Sequence, residues 1–324
     1  MARVVDVAQI QEELVRLIKL GDEEQARKLL PQLGTGPRQV RAVLAAMLEN
    51  SDGLVRQAAA FGLGELGGAA SVKRLEEQLA IEEARGDYDG AAVIEDITRA
   101  LGRIKGAKAR APLLRRLERL VAGKPDRSDI NELAYALWGR RHPDMLPAVR
   151  ASLEKLTLPA PHGLHGLLIL LEKSPEELDA WAREPAVSLK LKRTVLAVAE
   201  EDVPDWLLRV LPAFIATAHA ASEKIKGFRS DEEYYCERLF SVLLQDRERF
   251  VLAAPAAMRS ELRTLALKVI SATAAHPSLG AAVILGLVGH SQDVAFLEAH
   301  CPQEPVFAKV FRDAAQALRE RQKN

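Results

Sequence analysis

The sequence predicts an all-α fold, an α-solenoid of stacked antiparallel helix pairs. Three observations carry that prediction. A ten-residue pattern recurs: "VRQAAAFGLG" at Val55–Gly64, "VIEDITRALG" at Val93–Gly102 and "INELAYALWG" at Ile130–Gly139, with starts 38 and then 37 residues apart, a spacing typical of helical arrays. Apolar residues within and after these segments follow helical rather than alternating spacing, as Ile94, Ile97, Leu101 and Ile104 do. Aromatic residues make up only 5% of the 324-residue chain while alanine and leucine are abundant, a composition suited to close helix packing rather than to strands.

The elements follow in order. "DVAQIQEELVRLIKLGDEEQARKLLPQLGTG" reads as a helical hairpin turning at Gly21–Asp22, and "PRQVRAVLAAMLEN" as a helix ending before Ser51–Asp52; residues 1–50 are thus N-terminal capping helices. Residues 51–156 hold the clear repeats. Each repeated segment is followed by a second amphipathic one, "SVKRLEEQLA", "RAPLLRRLERL" and "PDMLPAVRASLEKL", with Leu113, Leu117 and Val121 forming the stripe of the middle one. Small residues in the first segment permit close approach of a neighbour, and the final glycine reads as a helix stop. "IEEARGDYDGA" and "VAGKPDRSD" read as enlarged loops between repeats, and "LTLPAPHG" (156–163) as a bend or boundary. Residues 157–324 read as divergent helical repeats completing one continuous solenoid. There "KSPEELDAWARE" carries a capping box at Ser174 and Glu177, and Ser230 and Glu233 repeat that spacing. "VPDWLLRVLPAFIATAHA", "SELRTLALKVISATAA", "SLGAAVILGLVG", "QDVAFLEAH" and "PVFAKVFRDAAQALRERQ" carry helix to the C-terminus.

The stretch from Asp52 to Leu156 resembles HEAT repeats, particularly the bacterial type found in phycobilisome lyases. Asp52, Val55, Arg56, Ala58, Ala59, Leu63, Gly64 and Leu66 carry the resemblance. The second and third units keep the apolar frame without the Val-Arg pair. The resemblance implies a curved superhelix in which the second helix of each pair lines the concave surface. It specifies a fold far better than a function, since such arrays serve many partners.

Lys plus Arg equals Asp plus Glu across the chain, so any electrostatic signal must be local. From Arg99 to Arg127 ten Lys or Arg stand against Glu118 and Asp126. With Leu113, Leu117 and Val121 facing the core, Arg115 and Arg119 point away from it one turn apart; Arg116 flanks the stripe, and Lys155 extends the patch from the next unit. These four residues form the candidate binding site, for an acidic protein or peptide partner or for nucleic-acid phosphates. The plainer alternative is a solvated face with ion pairs between repeats, to which the acidic "EEQLAIEEARGDYDG" would contribute.

Catalytic and metal signals are thin. HEAT-like DNA glycosylases use aromatic residues and an aspartate, but Trp138, Trp181, Trp206, Asp179 and Asp205 do not match them residue by residue and suit packing. His162 and His165 have a ligand spacing without companions. His300 suits a helix end and Cys301 a small buried cysteine, and "DYDG" lacks the remaining ligands of a calcium loop. Cys236 and Cys301 do not make a disulfide framework. "SLGAAVILGLVG" is too short and glycine-rich to span a bilayer, and the start has no signal-peptide core. The expectation is a cytoplasmic, non-enzymatic scaffold that binds a protein or peptide on its concave surface, with no cofactor and no membrane insertion. A nucleic-acid-binding protein is the alternative, and a glycosylase-like or lyase-like enzyme is a third reading.

Overall fold

The computed structural model describes residues 7–226, 230–273 and 278–321, and among these every regular element is helical. The readings made above for residues 1–6, 274–275 and 322 lie outside the described residues. Contacts divide the chain into two compact units, Met1–Pro159 and Ala160–Asn324, and the division falls within "LTLPAPHG".

In the first unit α1 (Val7–Lys19) and α2 (Glu23–Leu29) form the expected hairpin. Gly21 turns it at φ +74°, a conformation that glycine adopts without a Cβ penalty, and the Asp22 carboxylate accepts from Gln25 N at 3.1 Å. A 3₁₀ turn (Leu30–Leu33) leads to α3 (Pro37–Met47). Then come α4 (Gly53–Leu66), α5 (Gly68–Arg85), α6 (Tyr88–Arg103), α7 (Ala107–Ala122), α8 (Arg127–Gly139) and α9 (Leu146–Lys155). Each of these packs on its second neighbour: α4 on α6 and α6 on α8 in one row, α5 on α7 and α7 on α9 in another. Val93, Ile97, Leu101, Leu113 and Leu117 are buried, whereas Ile94 and Val121 lie at half-buried edges.

Two expectations need correcting. The repeated glycine is a contact point in all three helices and the end of only one: α8 stops on Gly139, α6 runs one residue past Gly102, and none of the three takes the left-handed conformation. α4 continues past Gly64 to Leu66 and turns instead at Gly67, φ +60°. A Cβ on Gly64 would stand 2.8 Å from that of Ala100 in α6; one on Gly102 would stand 2.8 Å from Ala136 Cα in α8, and one on Gly139 2.9 Å from the Gly102 carbonyl oxygen. The row α4–α6–α8 is therefore drawn together through the same register of missing side chains. Nor is "IEEARGDYDGA" an enlarged loop. α5 runs to Arg85 and α6 begins at Tyr88, leaving Gly86 in the left-handed region and Asp87, whose carboxylate caps Gly90 N at 2.6 Å.

The extra turn of α5 carries Glu82 into the core. Arg56 and Glu82 are both fully buried and pair at 2.8 Å. Arg56 also donates to the carbonyls of Asn50 and Ser51, and Gln78 donates to Glu82 at 2.6 Å. The motif arginine thus ties the loop before its own helix to the following one.

In the second unit α10 (Gly163–Glu172), α12 (Leu189–Glu200), α14 (Asp231–Gln245), α16 (Leu279–Val288) and α18 (Pro305–Arg321) pack in one row, each on its second neighbour. α11 (Pro175–Arg183), α13 (Leu207–Ser222) and α15 (Ala256–Ala272) form another, with a π-helical turn at Glu248–Leu252 before α15. The short α17 (Asp293–Ala299) packs on α18. Close approach through glycine recurs here: a Cβ on Gly166 would meet Thr194 O at 2.8 Å and one on Gly286 Ala314 Cβ at 2.9 Å. Both halves of the Ser174–Glu177 capping box are formed, and Ser230 Oγ accepts from Glu233 N at 3.2 Å. Sequence reading singled out neither α10 nor α12. The first is apolar on nearly every side and shows no period; the second begins "LKLKR", which reads as surface.

Candidate functional site

The predicted basic site lies on α7, and its arginines are already engaged. Arg115 reaches Glu76 at 2.6 Å and Arg119 reaches Glu83 at 2.7 Å, both glutamates on α5. Arg116 is not a surface residue: it is 2% exposed, between Glu83 at 3.6 Å and Asp129 at 3.4 Å. Its burial lowers its pKa, against the pull of Asp129 and Glu83. Other cations of the basic stretch are similarly paired: Arg110 with Asp144, Arg103 with Glu23 and Glu65, and Arg99 with Glu95 and Asp96. Lys155 is exposed at the end of α9 and forms no ion pair among the described residues. The geometry therefore gathers Arg115, Arg116 and Arg119 into a ladder between α5 and α7 and leaves Lys155 outside it.

A second cluster fills a small cleft of about 250 Å³ against α1, α4 and α6, lined by Gln57, Phe61, Asp96, Arg99 and Arg103. The Arg27 and Arg103 guanidiniums stand 5.9 and 5.8 Å from the Phe61 ring centre. Burial raises the Asp96 pKa to about 6, although Arg99 at 2.9 Å opposes it. This carboxyl titrates close to neutrality, but the arginine that would face a ligand is spent on it.

The second unit offers a different surface. α13 is apolar on both sides. Leu207, Val210, Leu211, Phe214, Ala218 and Ala221 are buried, while Pro212, Ala216 and Ala220 form an exposed line at i, i+4, i+8. A groove of about 720 Å³ runs on the α15 side, lined by Leu208, Pro212, Ile215, Ala253, Ala257 and Met258. A cavity of about 450 Å³ lies on the other side, against the start of α12, and Ala216 lines both. Pro212 has no N–H to give the Leu208 carbonyl, so one backbone acceptor is left without its helical donor in the apolar groove. At the rim Arg249 pairs with Asp205 and Asp246, Arg209 with Glu176, and His219 with Glu261. The signal for this surface was present in "LPAFIATAHAAS", where a charge-free face reads as a buried one.

The remaining candidates fall into structural roles. Trp138 is 1% exposed, with Arg141 over its ring at 4.4 Å. Trp181 and Trp206 are half-buried, Asp179 holds Arg183 at 2.8 Å and Asp205 holds Arg249. His165 Nδ1 accepts from His162 N at the start of α10, and His300 ends α17 with Nδ1 2.9 Å from Phe296 O. Cys236 is buried, and desolvation pushes its thiol up to about 12; Cys301 is half-buried rather than core. Among the described residues no three His, Cys, Asp or Glu side chains gather as a metal site requires, and no helix is long and apolar enough to cross a membrane. A scan against protein-family models finds no match to this chain, and a search of curated proteins finds none either.

Proposed function

We propose that the protein is a non-catalytic α-solenoid scaffold that docks a helical segment of a partner protein along α13. The exposed line Pro212–Ala216–Ala220 carries this reading. Small side chains allow a partner helix to approach closely, and grooves on both sides accept its ridges. α13 has 16 residues, about 24 Å at 1.5 Å per residue, enough for a partner of four turns. The second-neighbour packing of both rows and the HEAT-like motif at Asp52–Leu66 support the solenoid reading. Scaffold work is favoured over chemistry at α7, because Arg115, Arg116 and Arg119 are held in pairs with carboxylates. A nucleic-acid groove on α7 is the weaker reading, since phosphates would have to displace Glu76 and Glu83 from the arginines they hold.

The test is a display selection of random 16-residue segments against the whole protein, with affinities read by fluorescence anisotropy. Ala216→Arg should weaken the selected segments at least tenfold, whereas Arg115→Glu/Arg119→Glu should leave them unchanged. Undiminished binding to Ala216→Arg would remove α13 from the account.

A further inference from the structure

Three helices of this protein place a cation at their fourth residue and fold it back onto the preceding loop. Arg56 in α4 donates to the carbonyls of Asn50 and Ser51 at 2.9 and 2.8 Å. Arg259 in α15 donates to Leu252 and Ala254 at 3.0 and 3.1 Å. Lys192 in α12 donates to Glu184 O at 2.9 Å. Two of these cations are buried, Arg56 at 0% and Lys192 at 2% exposure, and there the likeness ends. Arg56 has the Glu82 carboxylate, brought by the next helix. Lys192 has no carboxylate within ion-pair distance among the described residues. The helix after α12 presents Ala216, Thr217, Ala220 and Ala221, and between them and Lys192 lies the cavity of about 450 Å³.

We infer that this cavity receives the carboxylate of an acidic side chain carried by the segment that docks along α13. The ligand would then supply in trans what Glu82 supplies in cis to Arg56. The inference rests on the docking reading above, and Ala216, shared by cavity and groove, joins the two. The charges lining the cavity favour an anion. Arg183 is neutralised by a two-pronged pair with Asp179 at 2.8 and 3.2 Å, which leaves Lys192 and Lys224 against Glu232. Ser188 and Leu189 add the N-terminal turn of α12, whose amide dipoles point positive. Desolvation lowers the Lys192 pKa, with Glu184 opposing; an incoming carboxylate would reverse that shift.

Two arms test the inference, the first independently of the docking reading and the second on a segment that has met it. In the first, N-acetylglutamate N-methylamide and its glutamine analogue are titrated into the whole protein while the Lys192 side chain is followed by NMR. The glutamate probe should move the Lys192 signals and raise its titration midpoint, and the glutamine probe should do neither; equal effects of the two would overturn the inference whether or not any segment binds α13. In the second, the acidic residue of a selected segment is changed from Glu to Gln. Affinity should fall at least tenfold on the native protein and stay constant on Lys192→Met. Equal losses on both proteins would overturn it. Ala220→Glu, at an exposed position lining the cavity, places a carboxylate in cis and should abolish the glutamate probe's effect even if Lys192→Met does not fold.

Discussion

α7 and α13 occupy comparable places in their units and present opposite surfaces. Each has 16 residues with proline at the sixth, and each packs between its second neighbours. Each exposes a line at four-residue spacing, Ala111–Arg115–Arg119 in α7 and Pro212–Ala216–Ala220 in α13. In α7 two of the three positions are arginines, closed by Glu76 and Glu83 from α5. In α13 it is apolar and open, with a groove on either side. The buried cations repeat the contrast: Arg56 has its carboxylate and Lys192 does not. The α7 line and Arg56 find their counter-charges within the first unit, whereas in the second the α13 line stays apolar and open and Lys192 has no carboxylate within ion-pair distance among the described residues. Charge density marked the more conspicuous helix in sequence, but the less charged one has the more open surface.

The largest effect should come from the closed pair. Glu82→Gln leaves Arg56 buried without a counter-charge and should cost ~3–5 kcal/mol in urea unfolding. Lys192→Met, which removes a charge that has no carboxylate, should cost far less. Comparable losses would erase the distinction between the two cations. Next comes Leu117→Ala, which opens a cavity under α7 and should cost ~2–5 kcal/mol.

Asp96 sharpens the comparison through pH. Its folded pKa of about 6 lies above the ordinary value of 3.8. Between those values the folded state holds more protons than the unfolded chain, so stability falls as pH rises through that window. Asp96→Asn should therefore gain ~1–3 kcal/mol over the native protein at pH 7.5, and much less at pH 4, in paired denaturant titrations. A gain of equal size at both values would mean that burial does not destabilise the charged form. The smallest effect belongs to the α7 ladder. Arg119→Ala, half-exposed and paired on the surface, should change stability by only ~0–1 kcal/mol. A loss as large as that of Leu117→Ala would reverse the assignment of faces.

The helices of the repeated block were legible because a long-range period and a 3.6-residue period agree there, and Leu113, Leu117, Ile97 and Leu101 are buried as that agreement requires. The role of Gly64, Gly102 and Gly139 was not. Glycine near a helix end has the same spelling whether it supplies a left-handed turn or removes a Cβ, and only the position of Ala100 and Ala136 separates the two. The basic patch was legible as composition, but its partners Glu76 and Glu83 lie 39 and 36 residues earlier than Arg115 and Arg119 and meet them only after α5 packs on α7. Glu82 was hidden because glycine and aspartate nearby read as loop. The α13 surface was hidden because an apolar pattern records what a helix avoids, not what covers it.

Docking along α13 is read by amide hydrogen exchange of the whole protein, with and without a selected 16-residue segment. Exchange should slow in α13 and at the start of α15 and stay unchanged in α5 and α7. Protection centred on α5 and α7, with α13 unchanged, would contradict it.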